Sequence, residues 1–247
     1  MARASPYDHA VAREPGRRSS RRQVYETLRQ RVLTLELPPG TALSENELAT
    51  ALQVSRTPVR ESLILLAEEG LVQVFPQIGS FVSRVDPAQV ADAQFLREAV
   101  ELAALEDLPG ELDAGVVARL RANLDEQAVA DLDREAFFAL DEAFHQGVLE
   151  LSGHGRTWST VLSAKGHLDR ARRLGLSGTE TQAQRIAEHG EVLSAVLDGD
   201  VERARAAMRV HLRAVFDDVE RIQQRSPELF AGPSTAGPVR RNVVIWA

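Results

Sequence analysis

Four side chains in the second half of the chain have the types and spacing of metal ligands. Asp141 and His145 stand four residues apart in "FFALDEAFHQGVLELSG" and therefore share one face of a predicted helix. His189 and His211 lie near the middles of two later helical segments. Taken singly, each of these two is better explained as an interior histidine bonded to a carbonyl. Together, one carboxylate and three imidazoles suit a divalent metal, Zn first and Ni or Mn next, with coordination positions left open.

A second group of polar side chains lies at the start of a predicted helix in the first half of the chain. In "LQVSRTPVRESLILLAEEGLVQ", Arg56 and Arg60 are four residues apart and project from one face of the helix start. Such a helix end carries unpaired N–H groups that favour phosphate. Arginine matches guanine O6 and N7, and Ser55 and Thr57 can bond phosphate oxygens. A charged first turn is also common in any globular protein, so the neighbouring elements must decide.

Those neighbouring elements are predicted from periodicity and capping signals. A first helix covers about 22–34 and stops at "LPPG". Ser44 and Glu47 form a capping box for a second short helix, and Ser55 can cap a third. Two β-like runs follow, "LVQVF" and "SFVSRV", with Gly79 in the turn between them. This order predicts a winged helix-turn-helix over 22–85.

The rest of the chain shows helical periodicity only. "VDPAQ" marks the boundary, with Asp86 as cap and Pro87 at the first helical position. An all-α six-helix bundle is therefore predicted over 86–225, and the predicted helices cover 87–108, 112–129, 133–151, 156–174, 180–198 and 201–224.

Both ends of the chain differ from these domains. Residues 1–21 are predicted to form a basic disordered arm, and 226–247, rich in Pro and Gly, a flexible tail. The net charge of −7 is unevenly divided: residues 1–85 hold 11 basic and 9 acidic side chains, residues 86–247 hold 18 and 27. A DNA-binding first half and an acidic second half are compatible with that division.

Composition excludes several kinds of protein. There is no cysteine, so disulfides, thiolate metal sites and thiol nucleophiles are unavailable. No apolar run approaches the ~20 residues that a bilayer span needs, and no apolar segment follows the N-terminal arginines. We expect a cytoplasmic protein without a membrane partner.

The first half resembles a known family. "SENELATALQVSRTPVRESLILLAEEGLV" is similar to the DNA-binding domain of GntR-family bacterial transcription regulators, and the similarity covers roughly residues 22–85. The resemblance implies double-stranded operator DNA as a partner. The implied DNA-binding residues are Asn46, which stands where many members carry Arg or Lys, and Ser55, Arg56, Thr57, Arg60 and Gly79.

The second half resembles the FCD ligand-binding domain of the FadR-type branch, over about residues 88–222. "LREAVELAAL", "LDEAFHQGVLELSG" and "MRVHL" carry the likeness. Metal-binding members take their ligands from a pattern that falls here on Asp141, His145, His189 and His211. The resemblance also places Arg97 toward the effector cavity. The alternative for Arg97 is a surface pair with Glu101. Arg170 and Arg173 are further ligand contacts to consider, and His154 and His167 lie outside the pattern.

The two halves together predict a ligand-responsive regulator. We expect a homodimeric repressor whose operator affinity changes when a small carboxylic acid binds at the metal and Arg97. Two alternatives are a metal-dependent hydrolase built on a helical bundle and a metal-free acyl-CoA sensor of the same branch. The bundle lacks an H-E-x-x-H motif, and a catalytic bundle does not explain residues 22–85.

Overall fold

The computed structural model describes residues 21–129, 132–175 and 179–232. The described chain forms two compact units. One contains the residues up to Asp86 together with the segment that begins at Ser226, and the other contains Pro87–Arg225. The predicted basic arm, residues 1–21, lies outside the described residues except for Arg21, which begins the first helix.

The first unit is a winged helix-turn-helix, as predicted. Its elements are α1 (Arg21–Leu33), β1 (Ala42–Leu43), α2 (Glu45–Ala51), α3 (Arg56–Glu68), β2 (Val72–Phe75) and β3 (Gly79–Val82). The strands form one antiparallel sheet in the order β1-β3-β2, which makes the predicted hairpin a three-stranded wing. Two-residue strands such as β1 have no periodicity by which a sequence could reveal them.

Capping explains where the helices of this unit begin and end. The Ser44 side chain accepts a hydrogen bond from the Glu47 backbone N–H at 3.3 Å, as the capping box predicts. Ser55 occupies the corresponding position before α3, but its side chain makes no capping bond, so that part of the prediction is wrong. Gly70, with φ of 75°, ends α3 in the left-handed conformation that glycine adopts most easily.

The apolar faces of these elements meet in one core. Residues at helical spacing on α1, α2 and α3 are buried together with residues of the wing; they include Val24, Leu28, Val32, Leu48, Val59, Leu63, Leu66 and Val82. Polar side chains are left on the outer surface of α2 and α3, where a partner can reach them.

The start of the predicted flexible tail is folded, so the prediction of 226–247 as a tail is wrong for residues 226–232. After a short turn at Pro227–Leu229, Phe230 pairs in parallel with Val85. Val85 N–H donates to Leu229 O at 2.9 Å, and Ala231 N–H donates to Val85 O at 2.8 Å. Phe230 is 2% exposed, and burial of its ring holds the segment in place. Residues 233–247 lie outside the described part.

The second unit is a helical bundle. Its helices are α4 (Pro87–Glu106), α5 (Ala114–Gln127), α6 (Arg134–Leu151), α7 (Trp158–Ala164), α8 (Gly166–Gly175), α9 (Thr179–Leu197) and α10 (Val201–Arg225). Helix α10 packs against α4, α8 and α9, and α5 packs against α6 and α9. Of the described helices, none combines the length and the apolar content that crossing a bilayer requires.

The fourth predicted helix is divided in two at Lys165. The Lys165 ammonium is buried and bound by Glu142 Oε2 at 2.5 Å and by Asp169 Oδ1 at 2.7 Å. Gly166 follows, and glycine weakens a helix by about 1 kcal/mol relative to alanine. The glycine favours a break at this point, and the apolar periodicity across 156–174 conceals it.

Candidate functional site

Three helices of the bundle bring the four predicted metal ligands together. Helix α6 supplies Asp141 and His145, α9 supplies His189, and α10 supplies His211. All four side chains are buried, and one ligand atom from each lies within 4.8 Å of the others. The spacing of four within α6 places two of them on one face, while the packing of α9 and α10 supplies the rest.

The Nε2 atoms of the histidines face one another at the centre of this cluster. His211 Nε2 lies 3.1 Å from His145 Nε2 and 3.2 Å from His189 Nε2. Asp141 completes the group, with Oδ1 3.5 Å from His189 Nε2 and Oδ2 3.9 Å from His145 Nε2. Four electron-pair donors therefore surround one point.

The opposite ring nitrogen of each histidine is held by an oxygen atom. His145 Nδ1 lies 2.6 Å from Glu101 Oε2, and His211 Nδ1 lies 2.9 Å from Glu188 Oε2. His189 Nδ1 lies 2.9 Å from the amide oxygen of Gln127. Because these oxygens accept hydrogen bonds, each neutral ring carries its proton on Nδ1 and leaves a lone pair on Nε2.

A relay of amides fixes the orientation of Gln127. Leu140 O accepts a hydrogen bond from Asn123 Nδ2 at 3.0 Å, and Asn123 Oδ1 accepts one from Gln127 Nε2 at 2.6 Å. A backbone carbonyl can only accept, so the direction of every bond in the relay is determined. The Gln127 oxygen must therefore face His189, which sets the tautomer of that ring.

Burial keeps the imidazoles neutral. Loss of solvation lowers the pKa of His145 and His189 well below the usual value, and the pKa of His211 is lowered too, although its bond to Glu188 opposes the shift. Burial also acts on Glu188, but hydrogen bonds from His211 and Arg185 outweigh it and lower that pKa to about 2. At neutral pH the site offers uncharged rings held by ionised or neutral oxygens.

Asp141 is the charged ligand of the group. Burial by itself raises its pKa, but the Arg172 guanidinium, which hydrogen bonds to Oδ2, and the surrounding histidines bring that pKa well below the usual range. Arg172 also donates to Glu142 Oε1 at 3.1 Å. An ionised carboxylate and three lone pairs directed at one point suit a divalent cation, because without one these acceptors only repel each other.

A cavity opens beside Asp141 and His211 and is rich in arginine. Its lining residues are Arg97, Asp141, Arg172, Arg185, His211, Leu212, Val215 and Asp218. Arg97 is 2% exposed and donates from Nε to Glu101 Oε1 at 2.7 Å. Its Nη2 atom is buried and has no hydrogen-bond partner among the described residues. A buried donor without an acceptor is costly, and an anion in the cavity would satisfy it.

The structure corrects two expectations about arginines. The alternative for Arg97 was a surface pair with Glu101; the pair exists, but both side chains are buried. Of the arginines on α8, Arg172 lines the cavity, whereas Arg173 lies over the Phe138 ring and pairs with Glu135, and Arg170 is absent from the lining. All three arginines are largely buried, and hydrophobic spacing alone does not say which of them faces the cavity.

Several residues that contact the cluster or support it are not predicted by the sequence. The sequence predicts Glu101 only as a surface partner of Arg97, and it predicts no ligand-orienting role for Asn123, Gln127, Arg172 or Glu188. The available signal was weak: Asn123 and Gln127 are polar residues four apart on a helix whose apolar face is also periodic. His154, outside the predicted set, is exposed and bonds Asp107.

In the first unit, α2 and α3 bring two predicted DNA-binding arginines together. Arg60 donates from Nε and Nη2 to the two oxygens of Glu45, both at 2.9 Å, and Arg56 Nη2 donates to Glu45 Oε2 at 3.2 Å. Both arginine side chains are about three-fifths exposed. The other predicted contacts, Asn46, Ser55, Thr57 and Gly79, are exposed on the same unit, the last of them at the start of β3 with φ of 137°.

A winged helix-turn-helix joined in sequence to a helical bundle defines a class, that of DNA-binding transcriptional regulators. Residues 20–82 match the family described as "Bacterial regulatory proteins, gntR family", and residues 92–214 match the FCD domain. The chain belongs to the GntR family and carries an FCD domain. Proteins of these families are transcriptional regulators rather than enzymes, so the hydrolase alternative is not retained.

Similar proteins agree with that assignment. The chain is 68% identical over 229 residues to an HTH-type transcriptional regulator in an unstable DNA locus of Streptomyces ambofaciens, which covers 93% of this chain and 97% of that protein. It is 32% identical over 212 residues to the HTH-type transcriptional repressor RspR of Escherichia coli K12, covering 85% and 92%. A GntR regulator of Rhodococcus sp. RHA1 has the same fold, with a TM-score of 0.69 at 23% identity over 81% of this chain and 97% of that one.

Proposed function

We propose that this chain is a cytoplasmic, homodimeric repressor whose affinity for operator DNA changes when a small carboxylic acid binds in the bundle beside a divalent metal. The observation that supports this proposal best is the convergence of three Nε2 lone pairs and the Asp141 carboxylate on one point. Nothing in the core of a metal-free domain requires that arrangement. The alternative of a metal-free acyl-CoA sensor gives these four buried residues no role.

The metal would be held by Asp141, His145, His189 and His211, with Zn favoured and Ni or Mn as alternatives. Such an ion supplies a positive centre with open coordination positions for an oxygen ligand. The protein's part is to orient the four ligands: Glu101, Gln127 and Glu188 hold the rings by their Nδ1 atoms. Residues that orient ligands in this way typically contribute 10- to 100-fold to metal affinity, to an order of magnitude.

The effector would occupy the cavity beside the cluster. Arg97 offers an unpartnered buried N–H group there, and Arg172 and Arg185 add two more guanidinium groups. Arg172 and Arg185 are already paired with the carboxylates of Asp141 and Asp218, so the unpartnered donor of Arg97 is the group that favours a carboxylate, which guanidinium can bind with two parallel hydrogen bonds. Arg97 is therefore assigned as the effector-binding residue, and a small organic acid as its ligand.

DNA would be read by the exposed face of α2, α3 and the wing. We assign Arg56 and Arg60 to base edges or phosphates in the major groove, with Asn46, Ser55, Thr57 and Gly79 as supporting contacts. A two-fold dimer places one such face in each half of a two-fold operator. A ligand that lowers operator affinity must in turn bind less tightly when DNA is present.

The metal assignment is tested by elemental analysis of protein purified without a histidine tag. We expect about one divalent ion per chain, as a single four-ligand cluster implies. His189→Ala should lose that ion, while His154→Ala, which removes an exposed histidine outside the cluster, should keep it. An unchanged metal content in His189→Ala would mean that the histidine is structural.

The recognition assignment is tested with the double substitution Arg56→Ala and Arg60→Ala. We expect the preference for operator over random duplex to disappear, because each bidentate base contact contributes about 1–3 kcal/mol of discrimination. The control removes two exposed arginines from the bundle, Arg119→Ala and Arg213→Ala, for the same change in net charge. Retained preference in the first variant would refute the assignment.

A further inference from the structure

A carboxylate lies between the two arginines that we assign to DNA. Glu45 is the first residue of α2, and Ser44, which caps that helix, fixes its position. One Glu45 oxygen accepts from Arg60 Nε, and the other accepts from both Arg60 Nη2 and Arg56 Nη2. A carboxylate at the centre of a DNA-binding surface is unexpected, since it repels the phosphates of the DNA backbone.

The geometry is stronger than that of an ordinary surface ion pair. Arg60 binds Glu45 with two parallel hydrogen bonds, the arrangement in which guanidinium and carboxylate constrain each other most. The Glu45 side chain is 24% exposed, whereas the arginines are 58% and 60% exposed. The carboxylate is thus set back against the protein, while the arginine side chains keep most of their surface in solvent.

We propose that Glu45 is a positioning residue for operator recognition: it holds the guanidinium groups of Arg56 and Arg60 in a fixed orientation before DNA binds. Arginine loses a large rotamer entropy when it is ordered, and a side chain that is already ordered loses less on binding. Arg60 can use its Nη1 atom and Arg56 its remaining N–H groups toward a base while Glu45 holds the other side. This inference rests on the proposed role of the two arginines.

Glu45 therefore acts in opposite directions on two kinds of binding. Its negative charge weakens attraction to any phosphate backbone, so it lowers affinity for random duplex. Its hold on the arginines favours the one geometry that a matching base pair accepts, so it raises the ratio of specific to random affinity. A purely structural ion pair would leave the ratio of specific to random affinity unchanged.

The test compares Glu45→Gln with Glu47→Gln in the full-length protein. Both acids lie in the first turn of α2, so each substitution removes one charge and the same interaction with the helix dipole. Glu47 contacts neither arginine. The measured quantities are the dissociation constants for a duplex from the protein's own promoter and for a random duplex of equal length, at several salt concentrations.

We expect Glu45→Gln to bind random duplex about two- to fivefold more tightly, since one repulsive charge is gone. The ratio of promoter to random affinity should fall by about five- to tenfold, the lower range for one bidentate base contact. Glu47→Gln should leave that ratio within about twofold of the unsubstituted protein, because an exposed charge that contacts neither arginine affects both duplexes alike.

The outcomes distinguish a failure of the role proposed for Glu45 from a failure of the role proposed for Arg56 and Arg60. If the double alanine variant of Arg56 and Arg60 loses promoter preference but Glu45→Gln and Glu47→Gln change the ratio equally, the positioning role of Glu45 is overturned and the recognition helix stands. If the double alanine variant keeps its preference, the recognition assignment fails, and the role of Glu45 fails with it.

Discussion

The winged unit exposes the arginines proposed to bind DNA, whereas the bundle buries the arginines that line its cavity. Arg56 and Arg60 share the carboxylate of Glu45 at the surface, and Arg97 and Arg172 are paired with acids in the interior of the bundle. The residue type and the partner type are the same in both places. The difference is the solvent around them.

That difference supports the kind of ligand proposed for each unit. Exposed charges are screened by salt and contribute little to folding, but they are free to attract a polyanion over a distance. Buried charges have lost their hydration, so they interact strongly with whatever enters and are costly when left alone. A surface with exposed arginines fits a long DNA backbone, and a cavity with buried arginines fits one small anion.

The largest expected effect comes from breaking the buried pair. Glu101→Ala should destabilise the metal-free bundle by about 3–5 kcal/mol, since it leaves the Arg97 guanidinium buried without its partner and removes the acceptor of His145 Nδ1. Glu45→Ala, the exposed counterpart, should cost the winged unit less than about 1 kcal/mol. Urea unfolding of both variants with a chelator present measures the contrast, and equal losses would contradict it.

Burial of one aromatic ring should matter almost as much in the winged unit. Phe230→Ala should destabilise that unit by about 3–5 kcal/mol, the usual range for removing a buried aromatic side chain, and release the pairing with Val85. Phe95→Ala, which truncates a ring that is 77% exposed, is the control and should change stability by less than about 0.5 kcal/mol. Hydrogen exchange at the amides of Val85 and Ala231 reports the release; unchanged protection in Phe230→Ala would show that the ring is dispensable.

A smaller effect is expected when the amide relay is interrupted. Gln127→Leu removes the oxygen that holds His189 Nδ1, so the ring can carry its proton on Nε2 and turn a donor toward the cluster. Metal affinity should fall by about 10- to 100-fold, with little change in fold. Competition with a fluorescent chelator measures the affinity. Gln146→Leu, on an exposed face of α6, serves as the control, and an equal affinity in both variants would exclude the relay from metal binding.

The smallest effect is on pH dependence, and it should differ between the units. In the folded metal-free bundle the pKa of His145, His189 and His211 is lowered, whereas in the unfolded chain these rings gain protons below pH about 6.5. The unfolded state then binds more protons, so the bundle loses stability as pH falls below about 6.5. Residues 21–85 contain no histidine, so the winged unit should be unaffected between pH 7 and about 5.

Hydrogen exchange of the two units at pH 7 and at pH 5.5, corrected for the intrinsic rate, distinguishes them. Loss of protection should be confined to helices α6, α9 and α10 and the helices packed on them. Equal loss in the winged unit would mean that the histidines are not what makes the protein sensitive to acid.

Sequence patterns predicted more of the structure of the winged unit than of the bundle. In the first, caps such as Ser44 and stops such as Gly70 are local signals that the sequence shows directly. The four cluster residues of the bundle were also predicted, from the spacing of Asp141 and His145, the small number of histidines and the resemblance to metal-binding FCD domains. The folded segment around Phe230 depends on contacts between distant residues, which no local pattern encodes.

The same limit applies to the residues that support the site. Glu101 could be paired with Arg97 from a spacing of four, but burial depends on how α4 packs against α6 and α10. Gln127 and Arg172 reach the cluster from α5 and α8, where their own segments carry no unusual spacing. A sequence reveals which residues can bind a metal more readily than which residues orient them.

The most direct test of the account is operator binding by the full-length protein, metal-loaded or treated with chelator, across a panel of small carboxylic acids. We predict a preference for the protein's own promoter over random duplex at moderate salt, and at least one acid that changes that preference only when metal is present. No preference for the promoter under any of these conditions, or an acid response that is identical after chelation, would contradict it.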